Sequence, residues 1–193
     1  MRLVRILSAL FLACTLACTL ACTVAAPAQA EPVKLKVMVF NIWRSGVQLS
    51  LAQVAAAIRA ADPDVVALQE PEGNSRRIAD LLGWAYVDER VHLISRYPLF
   101  MGRQDDVDFS YVEVRHGAMV AVTNLHLPSD AYGPELVRDG KTVEEVLQGE
   151  ADNRMYMLEP YAAAMPKVAA SGIPTIVGGD FNSGPNAVLT SRH

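Results

Sequence analysis

The stretch Asp64-Val65-Val66-Ala67-Leu68-Gln69-Glu70 determines the fold more than any other part of the chain. Its apolar run has no polar interruption, which is typical of a strand that is buried on both faces of a sheet. The run ends abruptly in an amide and a carboxylate, Gln69 and Glu70. A second stretch, Ile176-Val177-Gly178-Gly179-Asp180-Phe181-Asn182-Ser183, follows the same plan. We expect folding to bring the two polar ends together.

Oxygen-bearing side chains at the ends of buried strands are suitable ligands for a hard cation. Mg²⁺ in proteins is usually held by one or two carboxylates, and water and substrate phosphate complete its coordination. We therefore expect Glu70, Asp180 and Asn182 to gather around one Mg²⁺ or Mn²⁺ ion. Such an ion polarises a phosphoryl oxygen and offsets charge in the transition state, so the pattern indicates metal-assisted phosphoester hydrolysis.

The order of the expected elements predicts an α/β fold. Strand–helix–strand units come first, runs of consecutive strands follow, and a long helix precedes the last strand. This order predicts a four-layer α/β/β/α sandwich, in which two mixed sheets pack face to face and the helices lie outside. The expected strands are 34–40, 64–69, 84–88, 91–95, 99–102, 111–114, 118–125 and 175–177, and the expected helices begin near Ser50, Arg76, Val143 and Ala151.

Two parts of the C-terminal half are expected to be irregular. The segment 128–149 is long and polar, so we interpret it as a surface excursion of the kind that often shapes a substrate site. The helix expected over 151–170 contains Pro160 and Pro166. Proline removes a backbone donor and clashes with the preceding turn, so a kink or break is expected there.

The first 30 residues have the composition of a secretory leader. Two arginines precede an apolar stretch over 6–26, and Ala28-Gln29-Ala30 offers a small-residue cleavage site. We predict a signal peptide over 1–30, a domain over 31–193, and export to the periplasm or the extracellular space. The alternative is an uncleaved membrane anchor, because the apolar stretch approaches the roughly 18 residues that span a bilayer.

Cysteine content and charge restrict the rest of the chain. All three cysteines, Cys14, Cys18 and Cys22, lie in the leader, so the domain has no disulfide and must be stabilised by its core. The whole chain has a net charge of −4, and without the two arginines of the leader it is −4 − 2 = −6, which argues mildly against a tight nucleic-acid binder, although a bound cation could supply the attraction. We expect a monomer, since nothing in the sequence implies a stable protein partner.

Five short motifs carry a resemblance to a known family. In chain order they are Val-Phe-Asn-Ile-Trp (39–43), Asp-Val-Val-Ala-Leu-Gln-Glu (64–70), Leu-Ile-Ser-Arg-Tyr-Pro-Leu (93–99), Val-Thr-Asn-Leu-His-Leu (122–127) and Gly-Gly-Asp-Phe-Asn-Ser (178–183). With them the sequence resembles the endonuclease/exonuclease/phosphatase family, which includes deoxyribonuclease I, apurinic endonucleases, inositol-polyphosphate phosphatases and sphingomyelinases. The resemblance implies a phosphoester substrate: nucleic acid, phospholipid head group or small phosphoester.

The resemblance also implies roles for individual residues. Glu70 matches the main Mg²⁺ ligand, and Asn41 matches a residue that supports the metal site. His126 resembles the histidine that contacts the scissile phosphate and assists the leaving group. Asp180 resembles the carboxylate beside the nucleophilic water, and Asn182 the amide that orients the phosphate.

Each of these residues also has an ordinary structural interpretation. Asn41 could cap a turn, His126 could be a satisfied core histidine, and Asp180 with Asn182 could form an Asx turn. Trp43 and Trp84 are expected in the core rather than as platforms for base stacking. Arg96 is expected to fix a loop rather than to bind substrate.

The family pattern continues beyond the motif at 178–183, through further strands to a last histidine. Only residues 184–193 follow here, and we do not give His193 that role. We therefore expect a sandwich that is incomplete at its C-terminus and a hydrolase whose activity is weak or absent. The alternative from another class is a non-catalytic envelope remnant or binding module that retains the fold.

Overall fold

A computed structural model describes residues 32–46 and 48–183. The predicted signal peptide and the segment 184–193 lie outside the described residues. One compact unit begins at Lys34. Within the described part of this unit, eight strands form two four-stranded sheets.

The first sheet has the strand order β1-β2-β4-β3. Its strands are β1 (Val37–Asn41), β2 (Val65–Gln69), β3 (Tyr86–Asp88) and β4 (Leu93–Ser95). Strands β1 and β2 are parallel, whereas β4 is antiparallel to β2 and to β3.

The second sheet has the order β5-β6-β7-β8. Its strands are β5 (Leu99–Gln104), β6 (Val107–Arg115), β7 (Ala118–His126) and β8 (Thr175–Asp180). The pairs β5–β6 and β6–β7 are antiparallel, and β7 and β8 are parallel. Both sheets are therefore mixed, as the sequence predicts.

Five α-helices accompany the sheets in the described residues. They are α1 (Leu51–Ala61), α2 (Ser75–Leu82), α3 (Gly133–Arg138), α4 (Val143–Glu150) and α5 (Tyr156–Ala170). Helix α1 begins at Ser50, whose side chain and that of Gln53 cap each other's backbone N–H groups, and it ends at Asp62 in the left-handed conformation. The predicted start and stop of this helix are confirmed. No helix of the described residues combines the length and the apolar character needed to cross a membrane.

Three apolar clusters separate the four layers. The first lies between α1, α2 and the first sheet and includes Ile58, Ile78 and Leu68. The second lies between the two sheets, and the third lies between the second sheet and α5. Their buried members are Val65, Ala67, Val91, Leu93, Val112 and Val122 for the second, and Val107, Phe109, Ala121, Ala164, Met165 and Val168 for the third. Alternate residues of β2 therefore enter different clusters, which explains its continuous apolar run and confirms the α/β/β/α prediction.

The predicted break at the prolines is wrong. Helix α5 runs through Pro160 and Pro166. Both prolines lie on the exposed side, where water can reach the carbonyls that they leave without a donor, while Ala164 and Val168 pack against the second sheet. The change in helical type lies upstream, at a π-helical turn over Ala151–Met155.

Two further expectations need correction. The segment 128–149 is mainly helical, because α3 begins at Gly133 with a proline in its first turn and Thr142 with Glu145 forms a capping box for α4. Trp43 is not a core residue, since it is 53% exposed. Trp84 is partly buried against the first cluster, as expected.

Candidate active site

Four strand ends meet at one rim of the sandwich. Asn41 is the last residue of β1, and Glu70 directly follows β2 in the first sheet. His126 and Asp180 are the last residues of β7 and β8 and lie opposite each other in the parallel register of the second sheet. The site therefore draws side chains from both sheets, and two of them, Asn41 and Asp180, are 139 residues apart in sequence.

Asn41 joins the two carboxylates across the sheets. Its Nδ2 donates to Oε1 of Glu70 at 3.0 Å and to Oδ2 of Asp180 at 3.0 Å. Its Oδ1 accepts the backbone N–H of Trp43 at 2.9 Å, which fixes the orientation of the amide. The amide nitrogen faces the carboxylates and cannot ligate a cation, whereas Oδ1 keeps one lone pair for that purpose.

Glu70 is held in its ionised form. The hydrogen bond from Asn41 lowers the pKa of the Glu70 carboxyl, burial opposes that change, and the N–H of Arg44 adds to it by donating to Oε2 at 2.8 Å. The pKa falls below its ordinary value even though the nearby charge of Asp180 acts to raise it. His126 lies with Nε2 3.9 Å from Oε1 of Glu70.

His126 is accessible from solvent. Its side chain is 37% exposed, so the alternative of a buried core histidine is wrong. An imidazole at the rim, beside a carboxylate, is placed where a general acid for a leaving oxygen is needed. The role that the resemblance implies for it stays a prediction.

A left-handed turn over Trp43–Gly46 connects β1 to the site. Its residues have φ values of 47°, 46°, 60° and 67°, which cost non-glycine residues on the order of 1–3 kcal/mol each. Hydrogen bonds to the segment after β2 hold this turn: the N–H of Ser45 donates to the carbonyl of Glu70 at 2.8 Å, and its Oγ donates to the carbonyl of Pro71 at 3.1 Å. The strained backbone is thus fixed directly to the carboxylate that it contacts.

Asp180 and Asn182 form the Asx turn that the sequence left open. The N–H of Asn182 donates to Oδ1 of Asp180 at 2.9 Å, and its Nδ2 donates to the carbonyl of Leu127 at 2.7 Å. One hydrogen of that amide remains for a ligand. The structural role is therefore present, and the phosphate-orienting role stays a prediction beside it.

Sequence reasoning missed a pair of amides beneath the site. Nε2 of Gln69 donates to Oδ1 of Asn124 at 2.5 Å, and Nδ2 of Asn124 donates to the carbonyls of Leu68 at 2.8 Å and Val91 at 3.0 Å. This amide pair joins β2 to β7 directly behind Glu70 and His126. An amide at the end of β2 and another near the end of β7, both otherwise apolar strands, were the available signal.

A buried ion pair behind the loop after β7 was missed as well. Arg154 is 2% exposed, and its Nε donates to Oε2 of Glu150 at 2.6 Å. Its remaining donors reach the carbonyls of Pro128, Asp130 and Ala131, each at 2.8 Å. The spacing of four residues within a helical segment was the signal that could have revealed the pair.

The family is shown by the sequence itself. Residues 38–192 match the sequence model of the Endonuclease/Exonuclease/phosphatase family. The chain belongs to this family. An uncharacterized protein of Caenorhabditis elegans, F14F9.5, is 30% identical to it over 173 residues, covering 79% of this chain and 54% of the relative. The chain thus spans about half the length of that relative.

Solved structures of C. elegans TDP2 share the fold of this family member. The crystal structure of TDP2 has a TM-score of 0.50 at 16% identity, over 81% of this chain and 50% of the other. A truncated TDP2 gives a TM-score of 0.51 at 16% identity, over 81% and 65% of the respective chains. At these identities the likeness shows the fold alone.

A divalent cation fits the donor set of this family member. The described residues contain no cluster of three or more histidine, cysteine or acidic side chains arranged around one ion. Mg²⁺ and Mn²⁺ do not need such a cluster, because one or two carboxylates with water and a phosphate are sufficient. Glu70 and Asp180 supply those carboxylates, and the shared hydrogen bonds to Asn41 hold them together.

Proposed function

We propose that this chain is a phosphoester hydrolase of the phosphodiesterase type that depends on Mg²⁺ or Mn²⁺. The observation that carries the proposal is the junction at Asn41, which holds two carboxylates from different sheets at one solvent-facing rim. Neither carboxylate has a lysine or arginine partner among the described residues. Their charge is thus available to a cation from solution.

Four residues of the chain would each have a role in the hydrolysis. Glu70 and Asp180 would hold the cation, which when bound would polarise the phosphoryl oxygen and offset developing charge. Asp180 would orient the attacking water and accept its proton, provided that the water lies in line with the leaving group. His126 would donate a proton to the leaving oxygen, and the second hydrogen on Nδ2 of Asn182 would orient the phosphate.

Thermal unfolding with and without Mg²⁺ tests the metal site. A ligand at tenfold excess over its Kd stabilises the folded state by about 1.4 kcal/mol. We expect Mg²⁺ to raise the free energy of unfolding of the wild-type chain by this amount, which we call the Mg²⁺ increment, and we expect Glu70→Gln to lose it. The matched control is Glu72→Gln, because Glu72 is exposed and shares the positive φ of Glu70, 47° against 57°. Retention of the Mg²⁺ increment in Glu70→Gln would contradict the proposal.

Hydrolysis of bis(p-nitrophenyl) phosphate tests the activity. We expect weak turnover that requires Mg²⁺ or Mn²⁺, is abolished by EDTA and is lost in Glu70→Gln. A chain that neither gains stability with Mg²⁺ nor hydrolyses the diester would instead match the envelope remnant or binding module. Three expectations stay predictions: impaired activity, export through residues 1–30 and a monomeric state. The segments on which the first two depend, 184–193 and 1–30, lie outside the described residues.

A further inference from the structure

We infer that Trp43 and Arg44 form a subsite that binds a planar aromatic group attached to the phosphoester, an inference that rests on the proposed function. Both side chains are exposed, and Trp43 is 53% exposed. Large aromatic side chains are normally covered, and this one lies in the turn that contacts both Asn41 and Glu70. An exposed indole face beside a phosphate site suits stacking on a flat ring.

Hydrogen bonds hold the backbone of the turn that carries these side chains next to the site. The N–H of Trp43 is bound to Oδ1 of Asn41 at 2.9 Å, and that of Arg44 is bound to Oε2 of Glu70 at 2.8 Å. Three consecutive non-glycine residues, Trp43, Arg44 and Ser45, adopt positive φ to allow this. Sparsely populated backbone conformations persist where surrounding contacts over-determine them, and they cluster at ligand sites.

Charge supports the same subsite. The carboxylates of the site repel an anionic ester, so a nearby cation is needed alongside any bound metal. Within the described part of the chain, the guanidinium of Arg44 takes part in no hydrogen bond or ion pair. Only the backbone N–H of Arg44 donates to Glu70. Arg44 can therefore pair with the phosphate or extend the stack through its planar guanidinium.

Two aromatic sources fit this chemistry: a nucleobase on the retained side of the phosphate, or an aryl leaving group. Two substrates separate them, thymidine 5′-(p-nitrophenyl phosphate) and methyl p-nitrophenyl phosphate, which release the same p-nitrophenolate. If the base stacks on Trp43, Trp43→Leu raises KM roughly tenfold for the thymidine ester alone. If the aryl group stacks there, KM rises for both esters. An unchanged KM for both esters overturns the inference.

A binding measurement keeps the test independent of turnover. Trp43 and Trp84 are the two tryptophans of the chain, so Trp84→Phe leaves Trp43 as the sole indole. We expect thymidine 5′-monophosphate or phenyl phosphate to quench fluorescence in Trp84→Phe and not in Trp43→Phe, which retains the partly buried Trp84. Absence of quenching in both proteins overturns the subsite even if the diester is hydrolysed. Quenching without any hydrolysis supports the subsite while the proposed function fails.

Discussion

Two groups of carboxylates in this molecule are neutralised in different ways. Glu150 is buried, and the guanidinium of Arg154 binds it at 2.6 Å while the N–H of Gly133 donates to its other oxygen at 3.2 Å. Among the described residues, Glu70 and Asp180 receive hydrogen bonds only from an amide and from backbone N–H groups. The charge of Glu150 is neutralised by Arg154, whereas Glu70 and Asp180 keep their negative charge.

The difference separates a structural carboxylate from one that is available for a ligand. Burying an ion pair is tolerated when its polar atoms have partners, and every nitrogen of the Arg154 guanidinium has an acceptor. Two carboxylates that share one neutral donor remain repulsive, and a cation from solution is the means of offsetting that repulsion. Breaking the first arrangement should therefore lower the free energy of unfolding, whereas removing charge from Glu70 or Asp180 should mainly abolish metal binding.

The largest expected effect comes from breaking the buried ion pair. Arg154→Met leaves Glu150 buried without its cation and removes the donors for three loop carbonyls. We expect a loss of about 3–5 kcal/mol in the free energy of unfolding, measured by urea denaturation.

The matched control for that variant is Arg138→Met, because Arg138 forms only exposed ion pairs. It should stay within about 0.5 kcal/mol of the wild type. A loss of less than 1 kcal/mol in Arg154→Met would show that the two carboxylate groups do not differ as argued.

Acid should weaken the same ion pair, with a smaller effect. The hydrogen bond from Arg154 lowers the pKa of Glu150 against the opposing effect of burial. A folded-state pKa below the unfolded value gives stability that is present above the unfolded value, about 4.3, and is lost as pH falls through the folded one. Urea unfolding from pH 7 to pH 3 should therefore show a stability gap between wild type and Glu150→Gln that narrows in acid. A gap that is constant across this range would contradict the assignment.

The fold was largely predictable because its central strand is unambiguous. A run without polar interruption, such as 65–68, requires cover on both faces, and the polar residues after it mark the rim where other strand ends meet. Glu70, Asp180, Asn41 and His126 could be placed at one site for that reason. Their proximity follows from the parallel pairs β1–β2 and β7–β8, which bring carboxyl ends together.

What the sequence could not reveal depends on tertiary contacts. Hydropathy predicts that Trp43 is covered, but hydrogen bonds that the turn donates to a segment 26 residues away stabilise the left-handed conformation that leaves it exposed. Arginine is usually a surface residue, and Arg154 is stabilised in the interior by Glu150 together with the carbonyls of residues 128, 130 and 131. Pro160 and Pro166 are strong local breakers, but the packing of α5 on the second sheet outweighs them.

The amide pair Gln69–Asn124 offers an intermediate test, because it is largely buried but lies next to the open site. Asn124→Leu leaves the carbonyls of Leu68 and Val91 without donors, so we expect a loss of about 1–3 kcal/mol. The Mg²⁺ increment should also shrink, since β2 and β7 carry Glu70 and His126. The control is Asn153→Leu, which removes a single bond to the carbonyl of Gly149. A Mg²⁺ increment equal to that of the control would mean that the pair supports the fold alone.

The smallest expected change in stability is that of Asp180→Asn in EDTA. The side chain of the variant keeps one oxygen, which can accept from Asn41 or Asn182, and it relieves the repulsion with Glu70. Its new amide N–H₂ group, however, faces the other of these two donors. These effects oppose each other, so we expect a change within about 1 kcal/mol by urea denaturation. In Mg²⁺ the wild type should gain stability and the variant should not, whereas Asp106→Asn, at an exposed position, should behave as the wild type. A loss above 3 kcal/mol in EDTA would place Asp180 with Glu150, as a carboxylate that the fold itself requires.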